Sequence, residues 1–290
     1  MSPPRVAVAL VEGDPSTYET RYVHDVYEQI ASHFSATRYK PWPIISHFLS
    51  ELPTGWVGLD SGTGNGKYLP LPAERPGAVW TVGLDRSLSL LETAKMAGGV
   101  TREVVWGDVL GKGWRRGAFD YAVSIATIHH LATPERRRLA VRRLLESVSS
   151  THGRVLIYVW ATEQDALSKR SIPSSRTDIC VTEGQDVFVP WVLSPSMPPQ
   201  PRKSRRQEGH QSKPAVGPDT SPVPARQKFS RYYHMFSEGE LRRLVEYVAN
   251  DLCLPIGRKE DHPVGTSGVE IVQSGWERSN YYIELRRWGL

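Results

Sequence analysis

The sequence predicts an α/β fold in which a doubly wound, mostly parallel sheet is closed by an antiparallel strand. Short apolar runs alternate with amphipathic helical patterns over residues 16–160, which is typical of βαβ units. A glycine-rich loop follows the first run, and acidic residues end the next two. Two more strand-like runs stand near the end of the chain, where they can complete the same sheet.

The elements before residue 161 follow from hydrophobic periodicity. The first predicted helix covers residues 16–34, where apolar side chains recur at helical spacing after an Asp-Pro step. A second helix follows Pro43, and two more cover residues 88–97 and 135–147. Five strands are predicted between them, at residues 56–60, 79–85, 103–108, 119–126 and 154–160.

The last part of the chain contains one predicted helix and two closing strands. Ser237 and Glu240 have the spacing of a capping box ahead of that helix. Residues 268–275 and 281–288 are the predicted strands. The helix presents one apolar face, made of Leu241, Leu244, Val245 and Val248.

Residues 195–228 interrupt the predicted domain with eight prolines and no aromatic residue. So little apolar surface cannot offset the chain entropy, so we expect a disordered insertion. It carries seven Lys/Arg and two Asp/Glu, a charge of +5 that equals the net charge of the whole chain. The folded parts, residues 1–194 and 229–290, are therefore formally neutral and form one domain. We interpret the insertion as a solvated linker in preference to a nucleic-acid arm.

Composition limits the classes of protein to consider. The chain has 290 residues, of which 39% are hydrophobic, and this suffices for one sizeable core. We expect no transmembrane span and, at residues 1–10, no secretory signal. Cys180 and Cys253 cannot build a disulfide framework or, alone, a zinc site. We therefore expect an intracellular protein without a metal, acting in the cytoplasm, with the nucleus open as a second compartment.

The loop after the first strand reads Asp60-Ser-Gly62-Thr-Gly64-Asn-Gly66. Glycines at alternate positions allow a sharp turn into a helix and a close approach of a ligand to the backbone. A tight turn without a ligand is the structural alternative. The spacing differs from the G-x-G-x-x-G of pyrophosphate sites. Since S-adenosylmethionine has no phosphate, the pattern favours this cofactor over NAD.

Acidic residues end the second and third strands. Asp85 can accept both ribose hydroxyls of an adenosine, and Asp108 can meet the adenine amino group. A helix N-cap and a turn residue are their structural alternatives. Open α/β sheets bind ligands at this edge. The neighbouring Arg86 and Val109, and Ile125 on the fourth strand, complete the predicted cofactor-binding set.

Residues 119–133, FDYAVSIATIHHLAT, resemble the fourth-strand motif of class I methyltransferases. With the His129-His130 pair and residues 60–69, the chain resembles the eukaryotic tRNA carboxymethyluridine methyltransferases of the fungal type. Thr63 stands where that family usually has Cys, and Ser279-Asn280-Tyr281 where it usually has Asp-Asn-Trp. Similar segments cover nearly the whole chain, at residues 30–43, 158–164, 186–191, 231–241 and 277–282.

The resemblance implies a class I methyltransferase that uses S-adenosylmethionine to esterify the carboxymethyl group of the tRNA wobble uridine. A carboxylate nucleophile is already anionic at neutral pH, so the enzyme must align and desolvate it. Arginine suits carboxylates, and Arg38, Arg231 and Arg278 lie in family-like segments. A structural or surface salt bridge is the alternative for each of them.

Three more residues complete the predicted catalytic set. His129 and His130 follow the fourth strand. One of them can hydrogen-bond the substrate while the other packs inward, and a purely structural role is the alternative. Trp160 ends the fifth strand and can stack on a splayed base, unless it is a core residue.

The resemblance also implies a partner, a small zinc-containing activator subunit that forms a heterodimer with the methyltransferase. Residues 103–108 would form one edge of a class I sheet, and the apolar residues 104–106 would offer a strand to that partner. Contacts with tRNA phosphates are predicted for Tyr39, Lys40 and the arginines within 136–143. For those arginines, a solvated helix face is the alternative.

Other functions stay open at the level of sequence. A small-molecule carboxyl or oxygen methyltransferase would share the cofactor residues and differ in the substrate pocket. A non-catalytic cofactor-binding subunit would regulate a partner, although Gly62, Gly64, Asp85 and His130 favour an enzyme. A nicotinamide-dependent dehydrogenase is the third alternative, which the glycine spacing disfavours.

Overall fold

The computed structural model describes residues 6–38, 40–166, 168, 172, 183–193 and 227–289. Most of the predicted insertion, residues 195–226, and Tyr39 lie outside the described residues. Lys228 is the first residue of a strand, so the described fold resumes before the predicted end of the insertion.

The described residues form ten strands, numbered in chain order. They are β1 (Ala7–Val8), β2 (Val57–Ser61), β3 (Trp80–Asp85), β4 (Val104–Trp106), β5 (Tyr121–Ile125), β6 (Arg154–Trp160), β7 (Gln185–Val192), β8 (Lys228–Met235), β9 (Gly268–Glu277) and β10 (Asn280–Trp288). Seven of them form the main sheet in the order β4-β3-β2-β5-β6-β10-β9. The first five are parallel, and β10 runs antiparallel to β6 and β9. The predicted fold class is thereby confirmed.

Six α-helices flank the strands within the described residues. They are α1 (Pro15–Glu19), α2 (Asp25–Thr37), α3 (Pro43–Ser50), α4 (Leu88–Ala94), α5 (Pro134–Ser147) and α6 (Glu240–Asp251). A π-helical turn, Thr20–His24, joins α1 to α2, so the predicted helix at 16–34 is a composite of three segments. Short 3₁₀ turns cover Ala97–Gly99, Ile128–His130 and Lys259–Asp261. None of the helices in the described ranges is long and apolar enough to span a bilayer.

The central strands are buried because helices cover both faces of the main sheet. β5 is buried along its whole length, and β6 is buried from its second residue. On one face the core includes residues of α5 and α6, such as Val141, Leu145 and Val245. On the other face α3 contributes Phe48 and Leu49. Because the first five strands are parallel, their carboxyl ends lie along the same edge of the sheet, where a ligand can meet all of them.

A second sheet of three antiparallel strands, in the order β1-β7-β8, has no counterpart among the predicted strands. Pro190 lies inside β7, and proline argues against a strand when only the sequence is read. β8 is buried from Arg231 to Met235 although most of these residues are polar or aromatic. The second sheet lies beside the main one, since the Phe236 N–H donates to the Trp160 carbonyl at 2.9 Å.

Helix α6 begins differently from the predicted capping box. The Ser237 N–H donates to Glu240 Oε2 at 3.0 Å, as the box requires. However, the N-cap is Gly239 in a left-handed conformation, and the helix begins at Glu240. Ser237 therefore precedes the helix, and Glu240 stabilises the turn before it.

Candidate active site

A cavity of about 540 Å³ opens at the carboxyl-terminal edge of the main sheet. Residues at or just after the ends of the five parallel strands line it, namely Gly62, Asp85, Gly107, Ala126 and Trp160. Side chains of α2 and β8 form further walls. This is the position at which open α/β sheets bind ligands, and the volume suits a small-molecule site.

Two glycines of the loop after β2 serve different purposes. Gly62 has a φ of 90° and Gly64 a φ of 57°, both in the region that favours glycine. A Cβ at Gly62 would collide with the Thr127 side chain, whereas the nearest atom to a Cβ at Gly64 is a ring carbon of Phe34 at 3.9 Å. Gly62 is thus required by protein packing, while Gly64 leaves backbone open toward the cavity.

Two predicted cofactor residues, Asp60 and Gly66, lie behind the cavity wall rather than on it. A Cβ at Gly66 would stand 2.7 Å from the Ala94 Cα, so this glycine lets α4 pack against the loop. Asp60 is fully buried and accepts a hydrogen bond from Thr63 Oγ1 at 2.8 Å. Burial raises the pKa of the Asp60 carboxyl to about 7. These residues shape the loop.

Asp85 is oriented by the backbone. The N–H groups of Gly64 and Ser87 donate to its two carboxylate oxygens at 2.7 and 2.9 Å. Burial raises the pKa of this carboxyl despite those bonds. Because a carboxylate has about four acceptor positions, the remaining ones can accept two hydroxyls. The N-cap of α4 is Ser87, so the alternative role of Asp85 as a helix cap is wrong.

The third strand end holds an ion pair. Arg86 Nη1 donates to Asp108 Oδ2 at 2.9 Å, and the Leu110 N–H donates to Oδ1 at 2.9 Å. The second bond is the turn interaction considered above, although Asp108 also lines the cavity. Val109 and Ile125 line it as well. With the open backbone at Gly64 and the spare acceptors of Asp85, these side chains fit S-adenosylmethionine.

His129 packs inward together with Trp160. His129 is fully buried, and its Nδ1 accepts the Trp160 N–H at 3.1 Å. The Trp160 ring is 9% exposed and stacks on Tyr233 with the ring centroids 4.1 Å apart. Trp160 is therefore packed as a core residue and also lines the cavity, and its role in stacking on a base stays a prediction.

His130 uses both ring nitrogens within the protein. Nδ1 lies 2.9 Å from the Tyr232 carbonyl oxygen, and Nε2 lies 3.1 Å from Tyr27 Oη. Since a carbonyl only accepts, Nδ1 carries the proton and Nε2 accepts from the Tyr27 hydroxyl. Burial lowers the pKa of His130 to about 3, so the ring is neutral at physiological pH. His130 thus positions Tyr27.

The three arginines predicted as carboxylate ligands all line the cavity, but in different settings. Arg231 is 3% exposed, and its Nη1 donates to Tyr27 Oη at 3.3 Å. Arg38 and Arg278 are exposed. Within the described part of the chain, none of the three forms an ion pair with a carboxylate.

The charged side chains that line the cavity differ in whether they already have a partner. Its three acids already have partners: Asp85 accepts from the backbone, Asp108 pairs with Arg86, and Glu19 pairs with Arg136. Burial lowers the pKa of Lys67 to about 8. Cavity-lining cations without an ion pair among the described residues are Arg38, Lys40, Lys67, Arg231 and Arg278. The unpaired cations therefore favour an anion in the cavity.

The arginines of α5 are engaged in structure. Arg136 donates to both carboxylate oxygens of Glu19 at 2.7 and 2.6 Å. Arg142 and Arg143 donate to Glu146 at 3.1 and 2.8 Å. Ion pairs on the protein thus account for these side chains, and phosphate contacts are not needed to explain them.

The departure from the family pattern at Ser279 has a structural explanation. Arg278 and Ser279 have φ values of 48° and 64°, as in the two-residue turn of a β-hairpin. Ser279 Oγ accepts the Asp165 N–H at 2.9 Å. A hydroxyl thus caps this loop, and the turn directs Arg278 to the cavity.

Sequence reasoning missed Tyr27, Lys67 and Tyr233 as site residues, although all three line the cavity. The tyrosines resemble core aromatics within a helix and a strand. Lys67 follows the glycine loop directly, and that position was the one available signal.

The chain is similar to known methyltransferases. A family model described as a methyltransferase domain matches residues 59–149. A Schizosaccharomyces pombe protein named tRNA (carboxymethyluridine(34)-5-O)-methyltransferase is 35% identical over 266 residues, which cover 92% of this chain and 96% of that protein. A Saccharomyces cerevisiae protein of the same name is 38% identical over 226 residues, covering 77% and 74%.

Among solved structures, a methyltransferase from Burkholderia thailandensis has a similar fold. It is 1,6-didemethyltoxoflavin-N1-methyltransferase, determined with S-adenosylhomocysteine, and matches with a TM-score of 0.55 at 15% identity. The match covers 98% of this chain and 94% of that one. At this identity the likeness concerns the fold.

Proposed function

The chain belongs to the family of the tRNA carboxymethyluridine methyltransferases, and we propose that it converts 5-carboxymethyluridine at the tRNA wobble position into its methyl ester. The methyl donor is S-adenosylmethionine. The observation that carries this function is that one cavity is lined both by acids that already have partners and by cations that form no ion pair among the described residues. Asp85 suits the ribose of an adenosine cofactor, and the unpaired cations suit a carboxylate on a polyanion.

The chemistry of ester formation explains the residues of the site. When bound, S-adenosylmethionine supplies a methyl group on a sulfonium, and transfer joins it to a carboxylate oxygen while the C–S bond breaks with its electron pair left on sulfur. No proton moves, so no residue has to act as a base. A neutral His130 is consistent with this requirement, since its low pKa suits a hydrogen-bonding role. The protein contributes alignment and exclusion of water.

The cations at the cavity mouth favour RNA over a small carboxylate. Arg38, Lys40 and Arg278 are exposed, whereas Arg231 is buried. A small acid bound next to Arg231 would leave the exposed cations without a partner. An anticodon loop would bring phosphates to them, and phosphate contacts supply much of the affinity for nucleic acids.

A methyl-transfer assay tests this function. The full chain is incubated with radiolabelled S-adenosylmethionine and tRNA that carries carboxymethyluridine, alone and with the activator subunit proposed below. We expect label in a base-labile ester. The matched control is the same tRNA with unmodified uridine, which should take up no label. Absence of label from the carboxymethyl tRNA, with cofactor binding intact, would refute the proposal.

We also propose that a small zinc-containing activator subunit pairs with β4. This strand is one edge of the main sheet, and Val105 and Trp106 on it are 39% and 64% exposed. Exposed edges with apolar side chains are templates for a partner strand. Accordingly, we expect the chain alone to be poorly soluble or inactive, and full activity of the purified single chain would contradict this.

Replacement of an edge tryptophan tests the docking site. Trp106→Ala should weaken association with the activator, because it removes the most exposed apolar side chain of β4. Trp276→Ala is the matched control, since Trp276 lies on β9 at the opposite edge and is 42% exposed. Pull-down of the activator measures both variants. Equal retention by both would show that β4 is not the interface.

We propose that the heterodimer acts in the cytoplasm. A fluorescent fusion of the chain would test this location.

A further inference from the structure

Arg231 is a buried cation without a counter-ion. Its side chain is 3% exposed, and no carboxylate in the described residues lies within salt-bridge distance of it. Its Nε is buried and lacks a hydrogen-bond partner among those residues. Within the described residues the guanidinium makes one polar contact, and its partner is the neutral Tyr27 Oη at 3.3 Å. A buried charge without a counter-ion lowers the stability of the protein when no substrate is bound, because its lost hydration is not replaced by an ion pair.

Aromatic rings hold the guanidinium in place without neutralising it. Its Cζ lies 4.5 Å from the ring centroid of Trp191, 5.2 Å from that of Tyr233 and 5.8 Å from that of Tyr27. Such contacts orient a cation and stabilise it partly. A guanidinium has five N–H donors, and the bond to Tyr27 uses one of them, so donors remain for an acceptor in the cavity. Arg231 lines the same cavity as Gly64 and Asp85.

The hydrogen-bond network beside Arg231 is kept neutral. His130 donates from Nδ1 to the Tyr232 carbonyl, so Nε2 accepts the hydroxyl proton of Tyr27. The oxygen of Tyr27 can then accept from Arg231 and from Tyr233. An imidazolium at this point would repel the guanidinium, and burial prevents it by lowering the pKa of His130. The network therefore orients Arg231 and leaves its charge uncompensated.

We propose that Arg231 is the residue that binds the substrate carboxylate, through a bidentate contact that completes its ion pair only when the carboxymethyl group enters the cavity. This proposal rests on the proposed function and selects one among the cavity cations. Arg38, Lys40 and Arg278 are exposed and Lys67 is only partly buried, and a contact made in water contributes little to binding. Arg231 is the cation whose burial makes a carboxylate, rather than a neutral group, the matching partner.

The same charge explains release of the product. The bound carboxylate becomes a neutral ester as the sulfonium becomes a neutral thioether, so Arg231 loses its counter-ion at the moment of transfer. The ester cannot restore the ion pair, which favours dissociation. The negative charge of the carboxylate is more dispersed in the transition state than in the bound substrate. Arg231 therefore binds the substrate at least as tightly as it binds the transition state. Removing Arg231 should thus raise KM more than it lowers kcat.

Binding to matched RNAs tests the proposal. An anticodon stem-loop carrying 5-carboxymethyluridine is compared with its 5-carbamoylmethyluridine twin, which has a neutral amide in place of the carboxylate. Fluorescence anisotropy with S-adenosylhomocysteine present measures Kd for the full chain, alone and with the activator. Arg231→Gln should weaken binding of the carboxylate RNA by about tenfold to hundredfold. Binding of the amide RNA should change by less than about threefold, within the scatter of neutral contacts.

Two further variants separate substrate binding from a structural role. Arg231→Met removes the buried charge at similar volume, and we expect its melting temperature to equal or exceed that of the wild type. Arg258→Gln is the charge-matched control, because Arg258 is 76% exposed and outside the cavity wall. Its RNA preference should stay unchanged.

The outcomes are distinct. If wild type methylates the carboxylate RNA but Arg231→Gln keeps the full preference for it, the assignment of Arg231 is wrong while the proposed function stands. A large fall in the melting temperature of Arg231→Met would likewise overturn it, by showing a structural role. If wild type itself neither prefers nor methylates the carboxylate RNA, the proposed function fails.

Discussion

Arg136 and Arg231 both lie close to the cavity, but only Arg136 is bonded to a carboxylate within the described residues. Its Nε and Nη2 donate to the two oxygens of Glu19, which is a complete structural ion pair. Arg231 is more deeply buried and has aromatic neighbours instead. Residue type and burial alone therefore do not separate a structural arginine from one that binds substrate; the partner does.

Asp85 is the residue on which cofactor binding should depend most directly. Asp85→Asn retains an acceptor oxygen but loses the charge and one pair of acceptor positions, so the two loop bonds and the ribose hydroxyls can no longer all be satisfied. We expect affinity for S-adenosylhomocysteine to fall by about tenfold to hundredfold, as for charge-assisted hydrogen bonds. Titration calorimetry measures it.

Asp120→Asn is the control for that change. Asp120 also accepts a strand N–H, that of Val57 at 2.8 Å, but lies at the opposite end of the sheet. Its replacement should leave cofactor affinity unchanged. If both variants bind S-adenosylhomocysteine with the affinity of the wild type, the assignment of Asp85 to the ribose is wrong.

At the scale of elements, β8 joins the cavity to the second sheet. Arg231 and Tyr233 on β8 line the cavity, while His234 faces away from it, between Asp186 of β7 and Glu240 of α6. His234 Nδ1 lies 2.8 Å from Asp186 Oδ1, and Nε2 lies 2.6 Å from Glu240 Oε1. A neutral imidazole has one N–H, so both bonds require the imidazolium.

This cluster predicts a pH dependence of stability. Burial acts against the charge of His234, but the two carboxylates outweigh it and raise its pKa above 6.5. The contribution of His234 to the free energy of unfolding is therefore fully present below about pH 6.5, which is the pKa of histidine in the unfolded chain. It is lost as the pH rises through the pKa of His234 in the folded protein. Burial likewise opposes the charge of Asp186 and Glu240, yet His234 lowers the pKa of both. Their contribution is present above about pH 4.5, near the unfolded values, and is lost in stronger acid.

Urea unfolding at several pH values, with His234→Gln as the reference, measures this effect. The difference in free energy of unfolding between wild type and variant should be greatest between about pH 5 and 6.5 and should shrink toward pH 9. Asp60, whose pKa burial raises to about 7, titrates in both proteins and cancels in the comparison. A difference that is constant over this range would show that His234 is not charged in the folded state.

At the scale of the molecule, β7 and β8 stay paired up to the ends of the insertion. Val192 faces Lys228, and the Leu193 N–H donates to the Gln227 carbonyl at 3.0 Å. The two ends therefore meet, and an Asn-Gly pair in place of residues 194–226 has the geometry of a two-residue hairpin. The segment between them carries six Lys/Arg and two Asp/Glu, a charge of +4.

We expect this deletion to leave methyl transfer intact and to weaken tRNA binding modestly at low salt. The difference in Kd from wild type should vanish as salt rises, because exposed charges are screened. A chain of full length with Ser at the six basic positions is the control, and it should behave like the deletion. Loss of methyl transfer in both variants would show that the insertion belongs to the active site.

Much of the main sheet and of the cofactor-binding set was predictable, because the sequence patterns that indicate them are local. Strand runs, the glycine loop and Asp85 stand within one βαβ pattern whose topology brings their ends together. The second sheet was not predictable, since Pro190 and the polar residues of β8 contradict strand rules until tertiary contacts bury them. The arginines of α5 were equally ambiguous, because their acid partners stand elsewhere in the chain.

The sequence by itself determined the fold class, the edge of the sheet where a ligand binds and the family to which the chain is similar. Those properties depend on periodicity and on motifs that are short relative to the chain. Only the tertiary structure decided which side chains are free to act. It paired Arg136 with Glu19 and engaged both nitrogens of His130. It left Arg231 buried without an acid among the described residues, because the partner of a charge is set by long-range packing and not by its neighbours in sequence.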